Sequence, residues 1–546
     1  MDSGAIALQL QEIAMYFEVS GDKHRAAAYR RAASSIEAAP GLLQLIQEQR
    51  LEQLPHVGPS TAKVIADLAR CGTSTVLEEL KLKWPAVVVE LARLPYVGAL
   101  KARTLHEALA PQSLDAVAAA CRAGSVRSLQ GFGELSEAKL LAAIEDRQRR
   151  EVRALHIDAE ARANAIASYL RADPAAVQVE IAGPVRRWLE VVDHLGFAIA
   201  CDCPEAVAER VASYEHATII DRNNERVTAM LADRMRCEFY LAPHNRFGWA
   251  LVRATGSPAH VEQLRSRRPD IASIDASSER DLYRALDLPY PPPEVRDGTD
   301  ELGVDFSRLV TEQDVSTAFH CHTTYSDGEH SILAMAEAAQ AMGMRAITIT
   351  DHSAAAKYAG GLDADKLRAQ AREIASLNAP IRIFHGSEAD ILVDGTLDIA
   401  PELVHSLDLV IASIHQRHKL DEEAMTQRVI AAMRQPYFKI WGHALGRLVL
   451  RREPIRVRIA EIFDAIASSR AAIELNGDPY RLDLDPENAA RAAAMGIPFV
   501  VSCDAHSVAG LRAIRWAVGL ARRARIPKSQ ILNTLEPDEL AARIAP

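Results

Sequence analysis

The chain has 546 residues, 49% of them hydrophobic and 25% charged, with a formal net charge of -10. That length predicts several domains, the composition is that of folded globular protein, and the acidic balance excludes broad electrostatic capture of a polyanion. Neither a long apolar run nor a basic, then apolar leader at Met1-Asp2-Ser3-Gly4-Ala5 is found, so no membrane span and no secretion signal are expected. The seven cysteines lack framework spacing, Cys201 and Cys203 being a lone C-x-C, which predicts reduced thiols in a cytoplasmic protein.

Residues 1–148 predict an all-α region. Ala5 to Phe17 and Lys23 to Glu37 carry apolar residues at helical spacing, broken only by short Gly and Pro punctuation. Three turns share one plan: Leu54-Pro55-His56-Val57-Gly58, Leu94-Pro95-Tyr96-Val97-Gly98 and Leu129-Gln130-Gly131-Phe132-Gly133, each ahead of a helix rich in alanine and leucine. They resemble helix-hairpin-helix motifs, which implies DNA as a partner. Gly58, Gly98, Gly131 and Gly133 would let a strand backbone approach, and free N–H groups of the next helix would face a phosphate. Such contact reads no base sequence and needs little net charge. His56 and Tyr96 stand where the motif usually has its first glycine. Lys63, Lys101, Arg103 and Lys139 follow the turns and either add phosphate contacts or line a solvated helix face.

Residues 149–298 predict mixed α+β structure, with strands at Val177 to Gly183 and Leu195 to Ala200 and a helix at Glu205 to Tyr214. The stiff run Pro289-Tyr290-Pro291-Pro292-Pro293 approaches a boundary, and the acidic stretch 299–316 is expected to be a linker.

From Thr317 to the end, short apolar runs alternate with helical patterns. The runs are Ala318–Phe319, Ala346–Thr350, Ile381–Phe384, Leu409–Ser413, Phe438–Trp441, Ala472–Leu475 and Pro498–Ser502. Helices are predicted at Ser331–Met342, Lys366–Ser376, Glu422–Arg434, Arg456–Ser468 and Pro486–Ala494. That alternation implies parallel strands under an outer layer of helices, in a barrel or an open sheet. Ligand-type residues follow six of the seven runs: His320, His322 and Asp327; Asp351 and His352; Glu388; His415; His443; Asp504 and His506. In a parallel barrel the C-terminal strand ends converge on one face. Imidazole with carboxylate suits Mn²⁺, Zn²⁺ or Fe²⁺, and His320 and His322, two apart on a strand, face the same way. So many ligands exceed the needs of one ion and suit two or three, which could bridge a phosphate and activate water. His330, His385, His405 and His418 fall off the pattern and are expected to be solvated or supporting residues.

The segments His320-Cys321-His322-Thr323-Thr324-Tyr325-Ser326-Asp327-Gly328, Thr350-Asp351-His352-Ser353, Gly386-Ser387-Glu388-Ala389-Asp390-Ile391, Ser413-Ile414-His415, Gly442-His443 and Ser502-Cys503-Asp504-Ala505-His506 resemble the motifs of PHP domains. The resemblance implies a distorted seven-stranded (βα)7 barrel over residues 317–546. It also implies a trinuclear site held by His320, His322, Asp327, His352, Glu388, His415, His443, Asp504 and His506. Asp351 is then expected to orient an imidazole, and Asn476 and Arg481 either contact substrate or cap their loop.

The order of regions resembles bacterial family X DNA polymerases. Ile181-Ala182-Gly183-Pro184-Val185-Arg186-Arg187 and Thr255-Gly256-Ser257-Pro258-Ala259-His260 are similar to the palm motifs, and Leu286 to Arg296 to the thumb end. The chain also departs from that pattern. The two metal-binding aspartates of the palm fall at His194 and Gly196, the third at Glu238, and its nucleotide-touching serine at Pro184. Asp193 lies one residue out of register, and Val64 stands where the lyase lysine belongs, beside Lys63. A glycine offers no ligand, so the palm is expected to be silent. The activity expected is therefore a metal-dependent phosphodiesterase on DNA, a 3′–5′ exonuclease or 3′-end-processing enzyme of repair. The alternatives are an active repair polymerase with an exonuclease barrel, a small-molecule phosphatase, and a non-catalytic DNA-binding scaffold.

Overall fold

The computed structural model describes the whole chain except residues 1, 2, 38–41, 48, 49, 72, 93, 95, 112, 150, 151, 215, 216, 418 and 546. Pro95 of the second predicted turn and His418 thus lie outside the described residues. The chain forms two compact units, Met1–Glu151 and Val152–Pro546.

The first unit is helical: α1 Ser3–Val19, α2 Lys23–Glu37, α3 Leu42–Gln47, α4 Pro59–Cys71, α5 Thr75–Lys83, α6 Ala86–Ala92, α7 Gly98–Leu109, α8 Leu114–Arg122 and α9 Glu134–Arg149. The apolar stripe of α1, with Ile6, Leu10, Ile13 and Ala14 fully buried, packs against α2, α4, α5, α6 and α7. Serine N-caps define two helix starts: Ser74 accepts from the Leu77 N–H and Ser113 from the Ala116 N–H. The three predicted turns share one bonding pattern. Val57 N–H donates to Leu54 O (3.2 Å), Val97 N–H to Leu94 O (3.3 Å) and Phe132 N–H to Leu129 O (3.0 Å). Each turn has a positive φ at its third residue: His56 at 62°, Tyr96 at 69° and Gly131 at 82°.

The second unit holds two sheets and a short strand pair, β1 Ala154–Leu155 with β3 Val191–Val192. The mixed sheet contains β2 Gln178–Ala182, β4 His194–Ala200, β5 Ala217–Arg222, β6 Arg226–Leu231 and β7 Arg236–Ala242 in the order β2-β4-β7-β6-β5. The barrel comprises β8 Thr317–Cys321, β9 Ala346–Ile349, β10 Arg382–Asp390, β11 Leu409–Ser413, β12 Lys439–Trp441, β13 Ala471–Asn476 and β14 Phe499–Ala505. All seven strands are parallel, and β8 closes the ring between β14 and β9. Phe319, Phe384, Ile411, Ile440 and Val500 fill its interior, and Leu540 and Ile544 of the helix Pro537–Ile544 join that cluster. β10 and β14 outrun their predicted apolar stretches. The barrel keeps extending where the sequence turns polar, because its last residues face the site rather than the core.

Mixed sheet and barrel are tied together within this unit. Arg515 pairs with Glu160 (2.6 Å), Arg522 with Glu294 (2.7 Å), Arg523 with Asp297 (3.1 Å), and Arg447 with Glu190. Trp188 lies on Gly519, where a Cβ would come within 2.4 Å of its ring. The stretch 299–316 has little regular structure but is anchored: Glu301 is fully buried against His260 (2.6 Å), and Val310 and Val315 are buried.

Candidate metal centre and nucleic-acid contacts

The strand ends of the barrel bring the predicted ligands to one place. Three groups have mutually close donor atoms: His322, Asp327, His352 and His506; His320, His322 and Asp504; and His352, Glu388 and His415. They overlap through His322 and His352, so the groups adjoin. His443 completes the set, its Nε2 2.9 Å from Glu388 Oε1. The other oxygen of Glu388 lies 2.9 Å from His352 Nδ1, 3.4 Å from His320 Nε2 and 3.7 Å from His322 Nε2.

Local backbone geometry is unusual here. His320, His443 and Asp504 have φ of 62°, 26° and 46°, a region that costs a residue with a Cβ about 1–2 kcal/mol. A register shift in β8 accompanies the first. It turns His320 inward beside Phe319, which already fills the barrel interior, so His320 and His322 meet with ring centroids 5.2 Å apart. Strained residues clustered in one pocket mark it as functional rather than merely packed.

The donors fit a site for several metal ions. His320 Nε2, both nitrogens of His322, His352 Nδ1, His443 Nδ1 and Glu388 Oε2 are buried without hydrogen-bond partners. His352 Nδ1 and Glu388 Oε2, although close, do not meet in hydrogen-bond geometry. An unpaired buried polar atom costs about 1–3 kcal/mol. A cluster of them aimed into one space is explained by cations that take their lone pairs.

The charges are strongly coupled. Burial alone would neutralise Glu388, but His320, His415 and His352 hold its carboxyl well below the ordinary range. Burial opposes a charged His320, yet Glu474, Asp504 and Glu388 raise it well above the ordinary imidazole value. Against the same desolvation, Glu388 and Asp390 lift His415 to about 10, and Asp327 and Asp504 lift His506 to about 9. Burial and the neighbouring His506 push His322 down to about 4. Metal binding must displace the protons of the raised imidazoles.

Sequence reasoning missed the residues that aim these rings. Glu474, wholly buried, lies 2.5 Å from His320 Nδ1, accepts from the His443 N–H and takes a bond from Asn476 Nδ2 (3.2 Å). Asp390 lies 3.1 Å from His415 Nδ1. The signal was present, since a glutamate inside a buried strand needs a partner, but the apolar run around it hid the position. Asp351 departs from its expected role. It accepts from Thr323 N (2.8 Å), Thr323 Oγ1 (2.7 Å) and Gln370 Nε2 (2.6 Å) and, among the described residues, bonds no imidazole. It fixes the turn that carries Asp327, because the loop's own donors reach it first. Asn476 is buried and bonds Asp504 (3.2 Å), while Arg481 lies 3.8 Å from Asp504. His385 bonds Gln370 Oε1 (3.1 Å), away from the cluster.

In the mixed sheet, Gly196 pairs across the strands with Glu238. A Cβ at Gly196 would meet Gly183 N at 3.0 Å and Ala182 C at 3.1 Å. His194 Nδ1 is 2.7 Å from Asp193, and Glu238 accepts from Tyr240 (2.9 Å). Arg186 is held by Glu279 (2.8 Å) and Arg187 by Asp297 (2.8 Å).

In the helical unit, Gly58, Gly98, Gly131 and Gly133 face open space: a Cβ at any of them would meet nothing within 4 Å. Gly58 and Gly133 lack a positive φ as well, so neither strain nor internal crowding calls for glycine there. Lys63 and Lys139 are exposed and Lys101 half-buried. Arg103 is paired with Glu107 on its own helix (2.7 Å).

Residues 318–478 match the PHP domain family, and residues 1–74 the helix-hairpin-helix domain family. The DNA polymerase/3′-5′ exonuclease PolX of Bacillus subtilis (strain 168) is 31% identical over 553 residues, covering 96% of this chain and 96% of that protein. A probable phosphatase of Caldanaerobacter subterraneus subsp. tengcongensis is 28% identical over 233 residues, 39% of this chain and 85% of that protein. A probable phosphatase of Caldicellulosiruptor bescii is 26% identical over 226 residues, 39% of this chain and 89% of that protein.

Proposed function

The chain belongs to the bacterial PolX family of DNA polymerase/3′-5′ exonucleases, and from that premise we propose that its barrel hydrolyses DNA phosphodiesters from the 3′ end. Two or three divalent ions, Mn²⁺ or Zn²⁺ by donor type, would be held by His320, His322, Asp327, His352, Glu388, His415, His443, Asp504 and His506. The observation that carries this is the convergence of the unpartnered buried nitrogens of His320, His322 and His352 on Glu388 Oε2, itself unpartnered. When bound, such ions polarise a phosphoryl group and lower the pKa of a water. The protein's own part is orientation. Glu474 and Asp390 hold His320 and His415 by their Nδ1 atoms and leave Nε2 directed inward. The exposed side, at Asp327 and His506, admits the strand. Gly58, Gly98, Gly131 and Gly133, with Lys63, Lys101 and Lys139, would hold the DNA backbone; the ion pair of Arg103 makes it the weakest member of that set.

Incubating metal-loaded protein with end-labelled DNA tests this. Stepwise shortening from the 3′ end is expected, and His320→Ala should abolish it. Shortening that survives His320→Ala would refute the assignment.

Polymerisation is the second question. Similarity along 96% of the chain to a protein named a polymerase and exonuclease supports two activities rather than the silent palm expected from the motifs. The side chains argue the other way, since a Cβ at Gly196 would meet Gly183 N at 3.0 Å, so a carboxylate there needs the neighbouring backbone to give by a few tenths of an ångström. Primer extension decides it: extension abolished by Glu238→Ala would establish a working palm built on Glu238, and no extension in any metal a silent one.

A further inference from the structure

Tyr96 sits at φ 69°, where glycine is the easy choice, and its side chain is 75% exposed. It neither relieves its backbone nor fills the core, so the fold has no need of it. Across from it lies Phe132 of the third turn, half-buried against the helical core. The two rings bound a cavity of about 340 Å³ floored by Val97 and Leu140, at the small end of the roughly 300–1,000 Å³ range of small-molecule sites.

Each ring carries the other turn's lysine. Lys139 Nζ is 5.5 Å from the Tyr96 ring centroid, and Lys101 Nζ is 5.3 Å from that of Phe132 and donates to Tyr96 O (3.3 Å). Among the described residues neither lysine is paired with a carboxylate. The nearby acids Glu134 and Glu137 are engaged by Arg127 (3.6 and 2.7 Å). Two π faces with two unneutralised cations form a surface that takes a flat aromatic group flanked by negative charge. A duplex hides its base faces, and only an unpaired nucleotide offers both.

We infer that this cavity stacks an unpaired DNA base between Tyr96 and Phe132, with Lys101 and Lys139 on the flanking phosphates. The inference rests on the DNA reading proposed above. It adds a preference for single-stranded ends that backbone contacts at the turn glycines do not supply.

The test uses the full chain stripped of metal, so that no DNA is degraded. Its probes are a short single strand containing 2-aminopurine and the blunt duplex of the same sequence. Wild type should quench the single strand's fluorescence. Tyr96→Ala should weaken single-strand binding about 5- to 160-fold and lose the quench, with duplex binding unchanged; Tyr96→Phe should behave as wild type. Lys101→Ala and Lys139→Ala should each lower the salt dependence of single-strand binding by about 0.7 in slope, whereas Tyr96→Ala should leave that slope alone. A wild-type chain that binds neither probe overturns the DNA reading itself. One that binds both, with Tyr96→Ala binding single strands as tightly or losing both probes alike, overturns the stacking site alone.

Discussion

Glu474→Gln probes how the barrel aims its ligands. The change keeps volume and removes one charge and one acceptor. In the native site one carboxylate oxygen faces His320 Nδ1 at 2.5 Å and the other takes the His443 N–H and Asn476 Nδ2. An amide can accept on one side only, so at least one buried donor is left unpaired, at about 1–3 kcal/mol. If that donor is His320 Nδ1–H, the ring is free to move its proton to Nε2, the atom that must stay bare for an ion. Losing such a support lowers metal affinity about 10- to 100-fold, or about 1.4–2.7 kcal/mol. The assay is exonuclease rate against Mn²⁺ concentration for metal-stripped protein, with a thermal melt beside it. The half-saturating metal concentration should rise by that factor, with the rate largely recovered at saturation. A half-saturation point within about twofold of wild type would refute the argument. If the melt alone falls, Glu474 serves the fold and not the ions.

Gly196→Asp should destabilise the second unit by about 1–3 kcal/mol through crowding, since the Cβ meets backbone at 3.0 Å, and should not create primer extension; an unchanged urea midpoint would refute the packing. Glu279 is depressed to about 2: burial opposes its charge, and Arg296 and Arg186 outweigh burial. Its stabilisation, about 3 kcal/mol, is therefore complete above about pH 4.5 and lost as pH falls toward 2. The stability gap between wild type and Glu279→Gln should narrow over that window, and a constant gap in urea titrations would contradict it. Elemental analysis of gently purified protein should find two or three transition-metal ions per chain, and a single ion at saturation would exclude a multinuclear site. Gly133→Ala should leave the melting temperature unchanged, because its Cβ enters open space, while lowering duplex affinity several-fold in a filter-binding assay.

The barrel was legible because its two signals reinforce each other. An apolar run of strand length, then a histidine or carboxylate, recurs along the C-terminal half, and the closed parallel ring brings the ends of those runs together. The three turns were legible for a similar reason: repetition made a weak motif informative, and their bonding and φ angles agree. What stayed hidden depends on contacts distant in sequence. Glu474 lies 154 residues from His320, and nothing local to either names the other. Asp351 adjoins His352 in sequence, which invited a role in aiming imidazoles, but in space it belongs to the turn at Thr323 and Ser326. Tyr96 was visible only as a departure from glycine. Its partners Phe132 and Lys139 lie on a different hairpin, so a position that reads as a defect along the chain becomes part of a surface in the fold. A missing aspartate reads as loss, but whether Gly196 is merely vacant or structurally required depends on Gly183 lying against it on the neighbouring chain segment. That contact makes the position a tightly packed glycine, and a carboxylate there asks the backbone at Ala182 and Gly183 to give by a few tenths of an ångström.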